Sequence, residues 1–179
     1  VQVAVPGLHN AENALAAATV GLTFQVPAKK IMEALSLFVS ASKRMQVLKL
    51  NGITVLNDTY NSNPDSTLAA LRVLEGVRTS GKKVAVLADM LELGPKSAHE
   101  HRRIGQLVAK SGARYLLTYG TLSQQTHDAA TTVFKEHFEQ KNALSEHLAE
   151  LLTRGDIVLV KGSRGMKMED VVAFLTERF

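Results

Sequence analysis

Two short runs of unbroken apolar residues set the limits on what this chain can become. Lys83-Val-Ala-Val-Leu-Ala88 and Ile157-Val-Leu-Val160 lack the polar alternation of a strand with one wet face. They read as strands covered on both sides, and such strands belong inside a parallel sheet with helices on each face. Segments of helical period separate them from further strand-like runs. Strands are expected at 45–50, 53–57, 83–88, 114–118, 132–134 and 157–160, and Asn51-Gly52 between the first two is a hairpin turn because both positions accept positive φ. Helices are expected from Pro64 through Leu68, Leu71 and Leu74, and over 98–111, 122–130, 143–153 and 168–178. The pattern predicts an α/β fold with a doubly wound, mostly parallel sheet.

The first forty residues differ. Residues 11–20 form an Ala-rich helix, and 28–39, after Pro27, a second with Ile31, Leu35 and Phe38 on one face. The polar stretch Ser40-Ala-Ser-Lys-Arg44 follows. A domain boundary falls there, giving domains 1–43 and 44–179.

Composition removes several classes of function. The 21 basic and 17 acidic residues leave a formal charge of +4, scattered and without an Arg/Lys stripe, and no Trp accompanies the three Tyr and six Phe. A nucleic-acid partner is not expected. With no cysteine there is neither a disulfide nor a thiolate metal site, and no carboxylate or histidine spacing suggests a metal centre. No apolar run reaches the roughly 20 residues of a membrane span, and the amino end is not a signal peptide. A soluble, cytoplasmic protein is expected, with no membrane partner.

Three loops carry chemistry or its imitation. Gly76-Val-Arg-Thr-Ser-Gly81-Lys82-Lys83 almost fits a phosphate loop, but its last position lacks a hydroxyl and it leaves a helix to enter a strand, the reverse of the required context. It is a helix end and a turn. Asn57-Asp-Thr-Tyr-Asn-Ser-Asn-Pro-Asp-Ser66 lies where a strand's carboxyl end meets a helix, the edge at which open α/β sheets bind ligands. Asn63 or Asp65 caps the helix that opens at Pro64; capping leaves Asp58, Tyr60 and Asn61 unexplained. Lys161-Gly-Ser-Arg-Gly-Met-Lys-Met-Glu169 leads from a buried strand into the last helix, where glycines admit a close ligand, free N–H groups favour an anion and Arg164 can grip a carboxylate at two points. A plain Gly-rich turn capped by Ser163 is the alternative.

Together these stretches resemble one family. Gly7-Leu-His9-Asn10-Ala-Glu-Asn13-Ala-Leu-Ala16-Ala17 is similar to the G-x-H-N-x-x-N-x-x-A-A signature of the Mur ligases, ATP-dependent amide-forming enzymes of peptidoglycan synthesis. Asp58 to Ser66, Leu87-Ala-Asp-Met-Leu-Glu-Leu-Gly94 and Lys161 to Glu169 resemble the branch that adds D-alanyl-D-alanine to UDP-N-acetylmuramoyl-tripeptide. Asn61 stands where many relatives carry His, which favours that branch, and Gly165 stands where relatives often carry Ser. The resemblance implies a Rossmann-like carboxy-terminal domain preceded by helices from the end of a central ATPase domain. It also implies that the chain is a carboxy-terminal fragment, inactive alone, whose amino-terminal and central domains belong to the same polypeptide.

Roles follow by resemblance. Asn10 and Asn13 face adenine with His9 beside the nucleotide, and Arg44 reaches the ATP phosphates. Asp58 serves the ribose, while Tyr60, Asn61 and Asn63 line the cleft. Lys161, Ser163, Arg164 and Met166 form the D-alanyl-D-alanine site, with Ser163 and Arg164 on the dipeptide carboxylate. Asp89 and Glu92 either orient the incoming ammonium or cap the next helix. Mg²⁺ comes with ATP and with groups outside this chain. His99 and His101 are expected at solvated helix positions. A non-catalytic nucleotide- or partner-binding module is the alternative, since fold does not fix function.

Overall fold

The computed structural model describes residues 5–38, 43–131 and 134–179. They fall into two compact units, Val1–Ala41 and Ser42–Phe179. In the first, α1 (Leu8–Thr23) and α2 (Ala28–Ser36) form a helical hairpin. A Cβ at Gly21 would lie 2.9 Å from Ile31 Cδ1, so the missing side chain lets the helices approach closely. Large apolar side chains stay exposed on this pair, among them Leu15, Phe24 and Leu37. Val39 and residues 40–42 of the polar joint lie outside the described residues.

The second unit is built on six strands, β1 (Gln46–Leu50), β2 (Ile53–Asp58), β3 (Lys83–Ala88), β4 (Tyr115–Tyr119), β5 (Phe134–Phe138) and β6 (Ile157–Lys161). Their order is β1-β2-β6-β3-β4-β5. Only β1 is antiparallel, joined to β2 by the Asn51-Gly52 turn with φ of 45° and 87°. The helices are α3 (Pro64–Gly76), α4 (Ser97–Val108), α5 (Gln124–Ala129), α6 (Lys141–Leu151) and α7 (Glu169–Arg178).

Side chains alternate across the strands into two cores. Leu56, Ala85, Leu87, Ile157 and Leu159 meet Leu71 and Leu74 of α3 and Ile104 and Val108 of α4. Val55, Val84, Val86, Val158 and Val160 meet Leu144 and Leu148 of α6 and Val171 and Leu175 of α7 on the other face. Full burial of each such side chain contributes about 1.5–3 kcal/mol, so the unbroken apolar runs are what two covered faces require. The doubly wound, mostly parallel α/β sheet is as expected.

The boundaries moved where local signals were weak. The helix expected over 98–111 ends at Val108 and continues as a 3-10 turn, Ala109–Ser111, stopped by Gly112 at φ 72°. α6 begins and ends two residues early, because Leu152 is extended and the Thr153 N–H turns to Asp156 Oδ2 at 2.7 Å. The strand expected at 132–134 is Phe134–Phe138; residues 132 and 133 lie outside the described residues. Gly76 ends α3 and Lys83 opens β3, the context expected of a helix end and turn.

Strand β6 fixes where a ligand crevice can form. Its neighbours β2 and β3 lead into α3 and α4 on one face, whereas β6 leads into α7 on the other. The chain therefore parts on either side of the carboxyl end of β6, which is the topological switch point of such sheets.

Candidate functional site at the carboxyl edge of the sheet

Asp58 and Lys161 are the last residues of β2 and β6 and are direct partners in the parallel register. Lys161 is buried, and its Nζ donates to Asp58 Oδ2 at 2.6 Å and to the Asn61 carbonyl at 2.9 Å. Burial pushes the ammonium pKa below its usual 10.5; Asp58 opposes that shift and the Arg44 charge adds to it. Lys161 thus lies buried at the carboxyl end of β6. Asp58 Oδ1 accepts from the Met45 N–H at 3.0 Å, which ties the entry segment to the strand end.

That entry segment is tightly specified. Lys43 and Met45 have φ of 67° and 49°, conformations that L-residues adopt only when their surroundings hold them there. Met45 is buried in the first core, and the Tyr60 N–H donates to the Lys43 carbonyl at 2.9 Å. Between them the Arg44 guanidinium lies 3.9 Å from the centroid of the half-exposed Tyr60 ring.

The polar stretch after β2 divides its duties. Thr59 and Ser62 are buried; Thr59 donates to Asn57 Oδ1 at 2.7 Å, and the Ser62 and Thr67 hydroxyls meet at 2.9 Å. Asn63 is the cap of α3. Its Oδ1 accepts from the Ser66 N–H at 2.8 Å, and Ser66 Oγ accepts from the Asn63 N–H at 3.1 Å. Asp65 stands in the first turn instead, where its charge complements the helix dipole. Tyr60, Asn61 and Asn63 face solvent.

Ser163 joins three loops. Its N–H donates to the Asp89 carbonyl at 3.0 Å, while its Oγ accepts from the Leu91 N–H at 2.8 Å and donates to the Ser62 carbonyl at 3.1 Å. The hydroxyl is buried among these loops. Asp89 is also buried, and its Oδ1 accepts from the Ser123 N–H at 2.7 Å, ahead of α5. Its Oδ2 carries no hydrogen bond among the described residues. Glu92 is exposed at φ 65°.

His101 corrects the expectation of a solvated position. It is buried, its Nε2 accepts from the Met90 N–H at 3.0 Å, and its Nδ1–H donates to the Ser97 carbonyl at 2.8 Å. The signal was present: His101, Ile104 and Val108 share one helical stripe, and all three are buried. His99 is exposed as expected.

Arg164 projects from a 3-10 turn, Arg164–Met166, with its side chain exposed. Its N–H donates to Asn61 Oδ1 at 3.3 Å and its Nη1 to Glu169 Oε1 at 2.8 Å. Met166 is half-buried, and a Cβ at Gly120 would lie 2.6 Å from both its Cε and the Asp89 carboxylate. In the first unit, His9, Asn10 and Asn13 lie on α1; Asn10 Nδ2 donates to the Pro6 carbonyl at 2.7 Å and Asn13 is exposed. Among the described residues no cluster of three His, Asp or Glu could hold a metal, and no helix is long and apolar enough to cross a membrane.

A six-stranded, mostly parallel sheet with helices on both faces and a switch point beside β6 defines a doubly wound α/β domain. A family model described as Mur ligase, glutamate ligase domain, matches residues 43–164, and the chain belongs to the Mur ligase family. It is 33% identical over 180 residues to the UDP-N-acetylmuramoyl-tripeptide D-alanyl-D-alanine ligase of Bacillus subtilis (strain 168), covering 98% of this chain and 39% of the relative. The same enzyme of Escherichia coli (strain K12) is 34% identical over 99% of this chain and 39% of the relative. The crystal structure of MurF from Acinetobacter baumannii superposes with a TM-score of 0.89 at 29% identity, covering 99% of this chain and 39% of that one. The chain thus spans about two fifths of the length of these relatives.

Proposed function

We propose that this chain is the carboxy-terminal part of a cytoplasmic, ATP-dependent ligase that adds D-alanyl-D-alanine to UDP-N-acetylmuramoyl-tripeptide. One observation carries the reading: Arg44 and Arg164 stand at the carboxyl edge of the sheet, held by different loops around the Lys161–Asp58 pair. Amide formation from a carboxylate requires activation, here by transfer of the ATP γ-phosphoryl group to give an acyl phosphate and ADP; the dipeptide amine, once its ammonium has lost a proton, attacks the acyl carbon and expels phosphate. Such chemistry needs charge neutralisation and alignment more than a protein nucleophile.

In this reading Arg44 neutralises phosphate charge while Tyr60, Asn61 and Asn63 line the nucleotide side, with Asn10, Asn13 and His9 toward adenine. Asp58 accepts a ribose hydroxyl; each of its oxygens makes one hydrogen bond within the fold and keeps a second acceptor site. Arg164 takes the dipeptide carboxylate, Met166 packs beside it, and Ser163 and Lys161 hold the loop from below. Asp89 Oδ2 receives the incoming ammonium. ATP, Mg²⁺ and the UDP-linked acceptor are gathered with amino-terminal and central domains of the same polypeptide, and the 179-residue chain alone forms no amide.

Steady-state kinetics of the full-length polypeptide test the assignment. Arg164→Ala removes a charge-assisted contact of about 1.5–3 kcal/mol, a rise of roughly 10- to 150-fold in KM for D-alanyl-D-alanine, and leaves KM for ATP nearly unchanged. Arg44→Ala does the reverse. An Arg164→Ala enzyme altered only in melting temperature would remove the dipeptide site from this loop.

A further inference from the structure

Glu169, the first residue of α7, stands between two cations of different loops. Its Oε1 accepts from Lys43 Nζ at 2.9 Å and from Arg164 Nη1 at 2.8 Å, and its Oε2 is buried without a hydrogen-bond partner among the described residues. A buried oxygen left unpaired costs stability. The helix dipole does not require this acid, since exposed Asp170 also stands in the first turn and pairs with Lys141 at 2.8 Å. Burial pushes the Glu169 pKa up, but the bond from Lys43 and the Lys43 and Arg164 charges outweigh it, and the carboxylate stays ionised.

What Glu169 achieves is alignment. Among the described residues Arg164 spends only Nη1 on side-chain bonding, so the rest of the planar guanidinium is left there for a two-point contact with a carboxylate. Lys43 is fixed by the same oxygen, and Lys43 precedes Arg44 in a segment already held through Tyr60 and Asp58. We infer that Glu169 is a positioning residue that sets the angle of Arg164 toward the dipeptide carboxylate and, through Lys43, joins that site to the segment carrying Arg44. The inference rests on the reading of Arg164 as the carboxylate holder.

A double-mutant cycle in the full-length ligase tests it. Glu169→Ala raises KM for D-alanyl-D-alanine about five- to tenfold with kcat less affected, and has no further effect on that KM in an Arg164→Ala background. Glu169→Gln keeps the acceptor and the shape but loses the charge; it gives a smaller rise, again absent without Arg164, and serves if the alanine variant folds poorly. Equal effects in both backgrounds, or a change in melting temperature alone, would overturn the positioning role. Should Arg164→Ala leave the dipeptide KM unmoved, the site assignment itself fails; should Arg164→Ala act while Glu169 is additive, only this inference does.

Discussion

Lys161 Nζ meets Asp58 Oδ2 at 2.6 Å across adjacent parallel strands, with the lysine side chain 2% exposed and the aspartate 15%. Removing the lysine leaves the partly buried Asp58 carboxylate without its ion-pair partner. Lys161→Ala is therefore expected to cost about 3–5 kcal/mol, seen as a lower midpoint in urea unfolding with an unchanged slope. The double variant Asp58→Asn/Lys161→Met recovers part of that loss because neither charge remains. A double variant less stable than Lys161→Ala would show that the pair acts through something other than charge compensation.

His101→Ala removes the acceptor of the Met90 N–H inside the fold. The expected cost is about 1–3 kcal/mol for the orphaned donor, together with faster hydrogen exchange at the Met90 amide. If exchange at Met90 keeps its original rate, the imidazole is not what holds the loop after β3.

His137 gives the chain a pH response. It sits opposite Thr118 in the β4–β5 register, its Nδ1 lying 2.9 Å from Thr118 Oγ1. Burial pushes its pKa below 6.5 and the nearby His127 adds to the shift, while Asp89, Glu139 and Asp128 oppose it. The unfolded chain then takes up this proton before the folded chain does. Stability from the neutral ring is complete above about pH 6.5 and is lost as pH falls through the depressed folded value. Melting temperatures between about pH 5 and 8, the range in which histidine changes charge, are expected to vary less with pH for His137→Gln than for the parent. Parallel curves would place the titration elsewhere.

Gly120→Ala puts a Cβ into the space between Asp89 and Met166 at a backbone φ of 105°. Strain and overpacking together are expected to destabilise the domain by about 1–3 kcal/mol. In the full-length enzyme, displacement of Met166 also raises KM for the dipeptide. A normal KM with reduced stability would separate Met166 from substrate binding.

The fold was legible where its causes are local. Asn51-Gly52 makes its own turn, Asn63 caps the helix that follows it, and Val-Ala-Val-Leu can satisfy two covered faces in few ways. β5 was less clear because Phe134, Lys135 and Glu136 lie on an exposed edge strand, and burial writes little into such a sequence. At the site, resemblance groups Lys161 with the dipeptide loop, but its burial against Asp58 depends on a strand 103 residues away. Ser163 reads as a cap, although its three partners come from the loops after β2 and β3. His101 lies on a helical stripe, but the donor that makes a buried histidine stable there, Met90 N–H, belongs to a different loop and is invisible in the local pattern.

The place of β6 in the sheet bears on the order in which this molecule can be made. During synthesis β2 and β3 emerge with no strand between them, and Asp58 waits 103 residues for Lys161. Until then each exposes a row of unpaired amides and carbonyls, and the loops joined by Ser163 have no common anchor. Closing so distant a pairing is slow and leaves the nascent chain open to misassembly. The carboxyl edge carrying Asp58 therefore stays incomplete until β6 is made, and a ribosome that stalls before β6 releases a sheet with a gap at its centre.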